Sequence, residues 1–243
     1  MARTVVVGGG GSGIGRACAA RFAERGDDVW IVGRREESLQ KTLETFPKIK
    51  HYIAADLSTV EGAVKVRDGI SDRSVDVVVC SAGGTAAAVH GDLEKIAAEW
   101  HNDLNQNLMT TVLLVEALRQ KLTSPGARVV GIGSIGAQLG SGYGGSYGSA
   151  KAALHGWLYW IAAELGPLGI TANLVTPGFI PETEFFGTRM NADFYNVRVN
   201  RTLMGRAGTL EDVSECVGFL ASPEAGYITG QIVGINGGTV FGR

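Results

Sequence analysis

Tyr147 and Lys151 stand four residues apart near the start of a long helical pattern, so they lie one above the other on one helix face. A free tyrosine has a pKa of about 10 and is a poor proton shuttle at neutral pH. An ammonium one turn away favours the phenolate and lowers that value. A phenol tuned in this way can give a proton to an oxygen that is becoming an alkoxide, or take one back. Ser134, at the end of a strand facing the same cleft, can hydrogen-bond that oxygen. A Tyr-x-x-x-Lys pair also occurs as an ordinary surface pair, so its meaning turns on whether the rest of the chain builds a site against it.

The apolar run 127–133 reads as a buried strand. It hands over through a loop of Gly and Ser to a helix whose inner face is Ala150, Ala153, Leu154, Trp157, Leu158, Ile161 and Leu165. Other short, continuously apolar strands fall at 4–7, 29–32, 51–55, 75–79, 170–175 and 231–235. Helical patterns fall at 16–25, 36–45, 60–70, 93–122 and 211–221. Residues 176–210 are irregular, with room for one or two short helices. Continuous rather than alternating apolar strands, separated by helices, predict a parallel sheet covered on both faces. The expected fold is a single-domain, Rossmann-type, doubly wound α/β sheet of seven strands spanning residues 1–243, with a substrate loop at 179–210 inside it.

Composition narrows the function classes. A net charge of −2 gives no basic footprint for nucleic acid. No run approaches a membrane-spanning length, and the first residues lead into a strand rather than a signal peptide, so a cytoplasmic protein is expected. Cys18, Cys80 and Cys216 are scattered and read as small buried residues, not a disulfide frame or a zinc site. His51, His90, His101 and His155 lack metal-ligand spacing, and no metal is expected.

Between the first strand and the first helix runs Gly8-Gly-Gly-Gly-Ser-Gly-Ile-Gly15. Such a cluster lets backbone N–H groups approach an anion at a helix N-terminus; the alternative is a plain tight turn. Gly9, Ser12, Gly13 and Ile14 are the candidate contacts. An acidic residue closing the second strand would bond the ribose hydroxyls of NAD. Here that strand runs into Gly33, Arg34 and Arg35, and two guanidiniums suit a 2′-phosphate, hence NADP(H) rather than NAD(H). The alternative is a pair of exposed arginines opening a helix.

With these residues in place the chain resembles the classical short-chain dehydrogenase/reductase family, over nearly its whole length. The family's Thr-Gly-x-x-x-Gly-x-Gly appears here with Gly8 at the threonine position. Asp56 and Leu57 follow the third strand, where the family contacts adenine. Cys80-Ser81-Ala82-Gly83 stands for Asn-Asn-Ala-Gly, with both asparagines replaced. Asn107 opens the segment that supplies the family's fourth catalytic residue, and Ser134 precedes Tyr147 by the family spacing of thirteen. Asn173-Leu-Val-Thr-Pro-Gly178 and Asn236-Gly-Gly238 follow in order.

The resemblance implies that Tyr147 is the general acid in reduction and the base in oxidation. It implies that Lys151 tunes the tyrosine and bonds the nicotinamide ribose, that Ser134 orients the carbonyl, and that Asn107 holds a water in a proton relay. Asp56, Leu57, Ser81, Ala82 and Gly83 would line the cofactor cleft, and Pro177, Gly178 and Ile180 would flank the nicotinamide. Thr183, one residue later than the usual spacing, would reach its carboxamide. The absent threonine and asparagine remove a supporting hydrogen-bond pair, which bears on cofactor affinity more than on chemistry.

Phe185, Phe186, Met190, Phe194 and Tyr195 offer an apolar pocket, with Tyr143 as a further lining residue; Arg189, Arg198 and Arg201 offer charge for an anionic substrate or carrier, or are simply solvated. By resemblance the nearest members are 3-oxoacyl-carrier-protein-reductase-like. The expected activity is hydride transfer between NADP(H) and a small-molecule ketone or secondary alcohol, including 3-oxoacyl thioesters. The alternatives are a sugar or polyol dehydrogenase of the same family, or a dinucleotide-binding sensor or scaffold without turnover. Trp157, Tyr159 and Trp160 surround their helix, and the family pairs through such helices, so a homotetramer or homodimer is expected.

Overall fold

A computed structural model describes residues 2–85, 88–140 and 145–241, so Tyr143 lies outside the described residues. Seven parallel strands form one sheet: β1 (Thr4–Gly8), β2 (Asp28–Gly33), β3 (His51–Ala54), β4 (Val77–Cys80), β5 (Arg128–Ile132), β6 (Thr171–Pro177) and β7 (Ile232–Ile235). Their order across the sheet is β3-β2-β1-β4-β5-β6-β7. The helices are α1 (Gly13–Glu24), α2 (Glu36–Thr45), α3 (Val60–Gly69), α4 (Leu93–Leu104), α5 (Thr110–Leu118), α6 (Gly136–Leu139), α7 (Gly145–Leu165), α8 (Ala192–Val199) and α9 (Leu210–Leu220).

Side chains alternate across a strand, and here both faces are apolar. Val6, Val78 and Val129 pack with α3, α5 and α7 through Val66, Leu114, Leu118, Leu154 and Leu158. Val5, Val7, Val77, Val79 and Val130 pack on the opposite side with α1, α2 and α9 through Cys18, Phe22, Leu39, Val213 and Val217. A core on each side explains why the strands are continuously apolar rather than alternating.

The chain leaves β3, returns to the middle of the sheet and pairs β4 against β1, with Gly8 opposite Cys80 in register. The direction of winding reverses between these two strands. In open α/β sheets a ligand crevice forms outside the carboxyl ends of the strands at this reversal.

Two expectations change in detail. Helix α1 begins at Gly13, inside the glycine run, rather than at residue 16. The segment expected as one helix over 93–122 is α4, then a π-helical turn at Asn105–Met109, then α5 and a short 3₁₀ turn. Residues 176–210 contain a 3₁₀ segment at Glu184–Arg189 and α8, within the room the sequence left for them.

Candidate active site

The glycine run makes its turn against β4. Gly9 has φ +79°, and a Cβ there would lie 2.7 Å from the backbone nitrogen of Ala82. A Cβ on Gly15 would lie 2.2 Å from the Gly9 carbonyl oxygen, so these two positions admit no side chain. Gly8, where the family carries threonine, faces Leu114 and Leu57, whose methyls would stand 2.9 and 3.0 Å from a Cβ. Two leucines fill the space that a threonine would need.

Ser12 opens α1 in an extended conformation without a side-chain cap, and the first turn carries no acid. The backbone N–H groups at Gly13 and Ile14 would therefore suit an anion at the positive end of the helix. Gly9, Ser12, Gly13, Ile14, Arg34, Arg35, Ser81, Ala82 and Gly83 line one end of a cavity of about 550 Å³. A smaller recess continues past Arg34, Asp56, Leu57 and Ser58. Bare backbone, a helix N-terminus and two guanidiniums fit a pyrophosphate with a phosphorylated ribose. The residues present thus suit a phosphorylated dinucleotide.

Asp56 is engaged locally, accepting from the Ser58 backbone at 2.9 Å and the Ser58 hydroxyl at 2.7 Å. Those bonds and the Arg34 charge hold its carboxyl below the usual range against the opposing effect of desolvation. Arg35 reaches across the cavity to Glu184 of the 179–210 loop at 2.9 Å. Thr183, beside Glu184, stands over Gly13 and donates to the Ile180 carbonyl at 3.0 Å. Gly178 follows β6, and a Cβ there would meet Asn236 at 2.8 Å. Pro177, Gly178, Ile180 and Thr183 all line the same cavity.

Tyr147 and Lys151 project from the first turns of α7, and both are buried. The Lys151 ammonium donates to the Ile132 carbonyl at 2.9 Å, and its burial lowers its pKa from 10.5 to about 8. Burial also pushes the neighbouring Cys80 thiol up to about 12, so it is neutral beside the lysine. Ser134 lies two residues beyond the end of β5 and lines the cavity with Tyr147 and Lys151; its hydroxyl oxygen accepts from the Gly136 N–H at 3.0 Å.

Asn107 is fully buried inside the π-helical turn, where the Thr110 N–H reaches the Asn105 carbonyl five residues back. Its side chain accepts from the Gly84 N–H at 3.2 Å and donates to the Gly84 carbonyl at 2.8 Å and the Asp103 carbonyl at 2.9 Å. A Cβ on Gly83 would lie 2.8 Å from Asn107 Oδ1 and 3.4 Å from Lys151 Nζ. Asn107, Lys151 and the β4 loop thus meet at one point, and single-turn π-bulges are frequent at functional sites.

One cluster escaped the sequence reading. Ser146 Oγ stands 2.6 Å from Glu99 Oε1 and 2.8 Å from Asp103 Oδ2, behind the tyrosine. Glu99, Asp103 and Asn107 are spaced by four, a polar stripe on the inward face of a helical segment, and that stripe was the available signal. Asp103 is fully buried, and its Oδ1 has no hydrogen-bond partner among the described residues. The remaining ionisable residues form no cluster able to hold a metal among the described residues, and no helix there is long and apolar enough to cross a membrane.

Fold and site together define a dinucleotide-binding α/β oxidoreductase. Residues 9–240 match a family model described as enoyl-(acyl carrier protein) reductase. The chain is 30% identical to a 3-oxoacyl-[acyl-carrier-protein] reductase of Vibrio cholerae over 239 residues, covering 97% of this chain and 96% of that one. It is 33% identical to (2S)-[(R)-hydroxy(phenyl)methyl]succinyl-CoA dehydrogenase subunit BbsD of Thauera aromatica over 244 residues, covering 97% and 96%. A short-chain type dehydrogenase/reductase structure from Mycobacterium ulcerans superposes with a TM-score of 0.90 at 27% identity, covering 99% of this chain and 90% of that one. The chain belongs to the short-chain dehydrogenase/reductase family and is similar to its 3-oxoacyl-carrier-protein reductases.

Proposed function

We propose that the protein is an NADP(H)-dependent carbonyl reductase that interconverts a ketone and a secondary alcohol, 3-oxoacyl thioesters included. The observation that carries this reading is the buried Lys151, one turn from Tyr147, in a cavity continuous with the glycine turn and the Arg34–Arg35 pair. A bound nicotinamide would supply the hydride chemistry, reducing the carbonyl carbon or oxidising the alcohol.

The chain's residues do the rest. Ser134 holds the substrate oxygen. Tyr147 delivers the proton to that oxygen as negative charge builds on it, and takes it back in oxidation. The Lys151 cation stabilises the phenolate left behind. Asn107 fixes Gly84 and the β4 loop beside Lys151, where a water would carry protons to bulk solvent. Arg34 and Arg35 would hold the 2′-phosphate, Gly9, Ser12, Gly13 and Ile14 the pyrophosphate, and Asp56, Leu57, Ser81, Ala82 and Gly83 the adenosine side. Pro177, Gly178, Ile180 and Thr183 would flank the nicotinamide, and residues 179–210 would enclose the substrate.

We further infer a cytoplasmic homotetramer or homodimer. Trp100, Tyr159 and Trp160 on α4 and α7 are 39%, 57% and 48% exposed, an apolar surface that a second copy would cover. A monomeric mass by light scattering at micromolar concentration would remove that part. The central test is NADPH consumption with a panel of ketones and 3-oxoacyl thioesters. Tyr147→Phe should lose about 10²–10⁴-fold in kcat. Wild type and Tyr147→Phe equally inert on every member would favour a dinucleotide-binding protein without turnover.

A further inference from the structure

Tyr147 sits where a helix is weakest. Ser146 and Tyr147 are the second and third residues of α7, in the first turn, and the N–H groups of a first turn have no partner within their own helix. Such turns fray, whereas a misplacement of about 1 Å costs a catalytic group up to about 10²-fold. Contacts from outside the helix must therefore hold this turn.

It is gripped from two sides. Gly148 lies against α6, where a Cβ would stand 3.0 Å from the Gly136 carbonyl oxygen. On the other side the Ser146 hydroxyl oxygen lies 2.6 Å from Glu99 Oε1 and 2.8 Å from Asp103 Oδ2, both on α4. All three side chains are buried, Ser146 and Asp103 completely. The bonds from Ser146 and from the Val89 N–H hold the Glu99 carboxyl below its usual range against the effect of desolvation. Glu99 is thus a charged acceptor for the hydroxyl, and hydrogen bonds to a carboxylate are about twice as strong as neutral ones. Successive residues stand about 100° apart round a helix, so Ser146 faces α4 while Tyr147 faces the cavity.

This anchor is costly by the ordinary rules of packing. Apolar side chains would fill the space between α4 and α7 without desolvating two carboxylates, and Asp103 Oδ1 finds no partner among the described residues. What the stripe touches accounts for the cost. Glu99 Oε2 accepts from the Val89 N–H at 2.8 Å, and Asn107 binds both the N–H and the carbonyl of Gly84. One face of α4 and its π-helical turn thus holds the loop after β4 at Gly84 and Val89, and α7 beside the tyrosine. Gly84 and Tyr147 line the same cavity.

We propose that Ser146 is a positioning residue: tied to Glu99 and Asp103, it fixes the first turn of α7 and so places the Tyr147 phenol against the substrate oxygen. This rests on the carbonyl-reductase reading above and adds to it a residue that acts only through Tyr147.

A double-mutant cycle tests the assignment, with the best ketone of the panel and saturating NADPH. Ser146→Ala should lower kcat by about tenfold or more and leave the NADPH dissociation constant, read by cofactor fluorescence, within about twofold. In a Tyr147→Phe background the same change should cost nothing further, because no phenol is left to place. Ser146→Cys, of similar volume but a weaker donor, should fall between wild type and alanine, and it takes the place of alanine if that variant does not fold. Amide hydrogen exchange gives a readout without turnover. The amides of Ser149, Ala150 and Lys151 bond to carbonyls of the first turn, and in the variant they should exchange about tenfold faster or more while residues 158–165 of α7 keep their protection. An equal loss of kcat in both backgrounds would show that Ser146 serves stability alone and would overturn the proposal. So would wild-type kcat in the variant, or unchanged exchange at 149–151. If wild type reduces no ketone at all, the carbonyl-reductase reading fails, and the exchange rates still decide whether Ser146 holds the turn.

Discussion

Lys151→Met should be about as stable as the wild type, or more so, at pH 7 and clearly less stable at pH 10.5. Burial lowers the Lys151 pKa from 10.5 to about 8. Between those values the unfolded amine still holds a proton that the folded amine has released. The unfolded state binds more protons there, so wild-type stability rises with pH across this window. Below pH 8 the amine is charged in both states, and the fold carries the whole desolvation penalty. A pKa displacement of that size corresponds to about 3 kcal/mol. Against it stands the hydrogen bond from Nζ to the Ile132 carbonyl at 2.9 Å. Its loss, with the carbonyl left unpaired, costs about 1–3 kcal/mol. At pH 7 the two effects nearly cancel or favour methionine, whereas at pH 10.5 only the lost hydrogen bond remains.

Urea unfolding of both proteins at the two pH values measures this as a change of about 3 kcal/mol in their stability difference. Groups that do not face Lys151 titrate alike in both proteins and drop out, and the neighbouring Cys80 thiol, pushed up to about 12, stays neutral across this window. A change under about 1 kcal/mol would mean that the amine keeps its water in the folded state. A change of opposite sign would mean that a negative partner, not burial, governs the lysine. The variant should also be inert, which would make Lys151 a residue kept for chemistry at the expense of stability.

Arg34→Asp should weaken NADPH binding by about tenfold or more and NADH binding much less, read by cofactor fluorescence; equal losses would count against the 2′-phosphate contact. Glu184→Gln, which releases Arg35, should tighten NADPH by about twofold to fivefold and leave NADH unchanged. Gly9→Ala puts a Cβ 2.7 Å from the Ala82 nitrogen at φ +79°, and should cost more than about 1 kcal/mol by urea unfolding as well as cofactor affinity. Asp103→Asn should raise the melting temperature at pH 7. Ser146 has one hydroxyl proton for two carboxylate oxygens at 2.6 and 2.8 Å, and an amide supplies the missing donor. A lower melting temperature would show that Asp103 has a donor the hydroxyl does not provide.

The sheet was legible because its inner strands are buried on both faces and write continuous apolar runs, as Val5, Val6 and Val7 do. Edges were less so: the run at Val75 forms only an isolated bridge to Leu122, and the paired strand starts at Val77. Helix α1 starts three residues before its side-chain pattern, because glycines have no side chains with which to announce a helix. The π-helical turn at Asn105–Met109 was hidden for a different reason. One extra residue in a turn leaves no compositional mark, and it coincides with a tertiary contact, Asn107 holding Gly84. In the 179–210 loop the aromatic residues were visible, but their packing follows no sequence period. The pair formed by Arg35 and Glu184 joins residues 149 apart, and no local pattern reports it.

What ties these features together is where the chain departs from ordinary local rules. A buried lysine, a π-helical turn, a helix start without a side-chain cap and a glycine at φ +79° each sacrifice some stability when considered alone. Scattered through the fold, they would read as unrelated imperfections. Instead Gly9, Ser12, Asn107 and Lys151 all line one cavity, at the reversal between β1 and β4. The uncapped helix and the bare glycine backbone are expensive unless an anion occupies them, and the desolvated ammonium is expensive unless a phenolate forms beside it. One occupant and one reaction would relieve all of these costs together: a phosphorylated dinucleotide, and a proton passing through Tyr147. That shared relief weighs against a binding protein without turnover, because a scaffold would need the glycine turn and the arginines but would gain nothing from keeping Lys151 buried and charged.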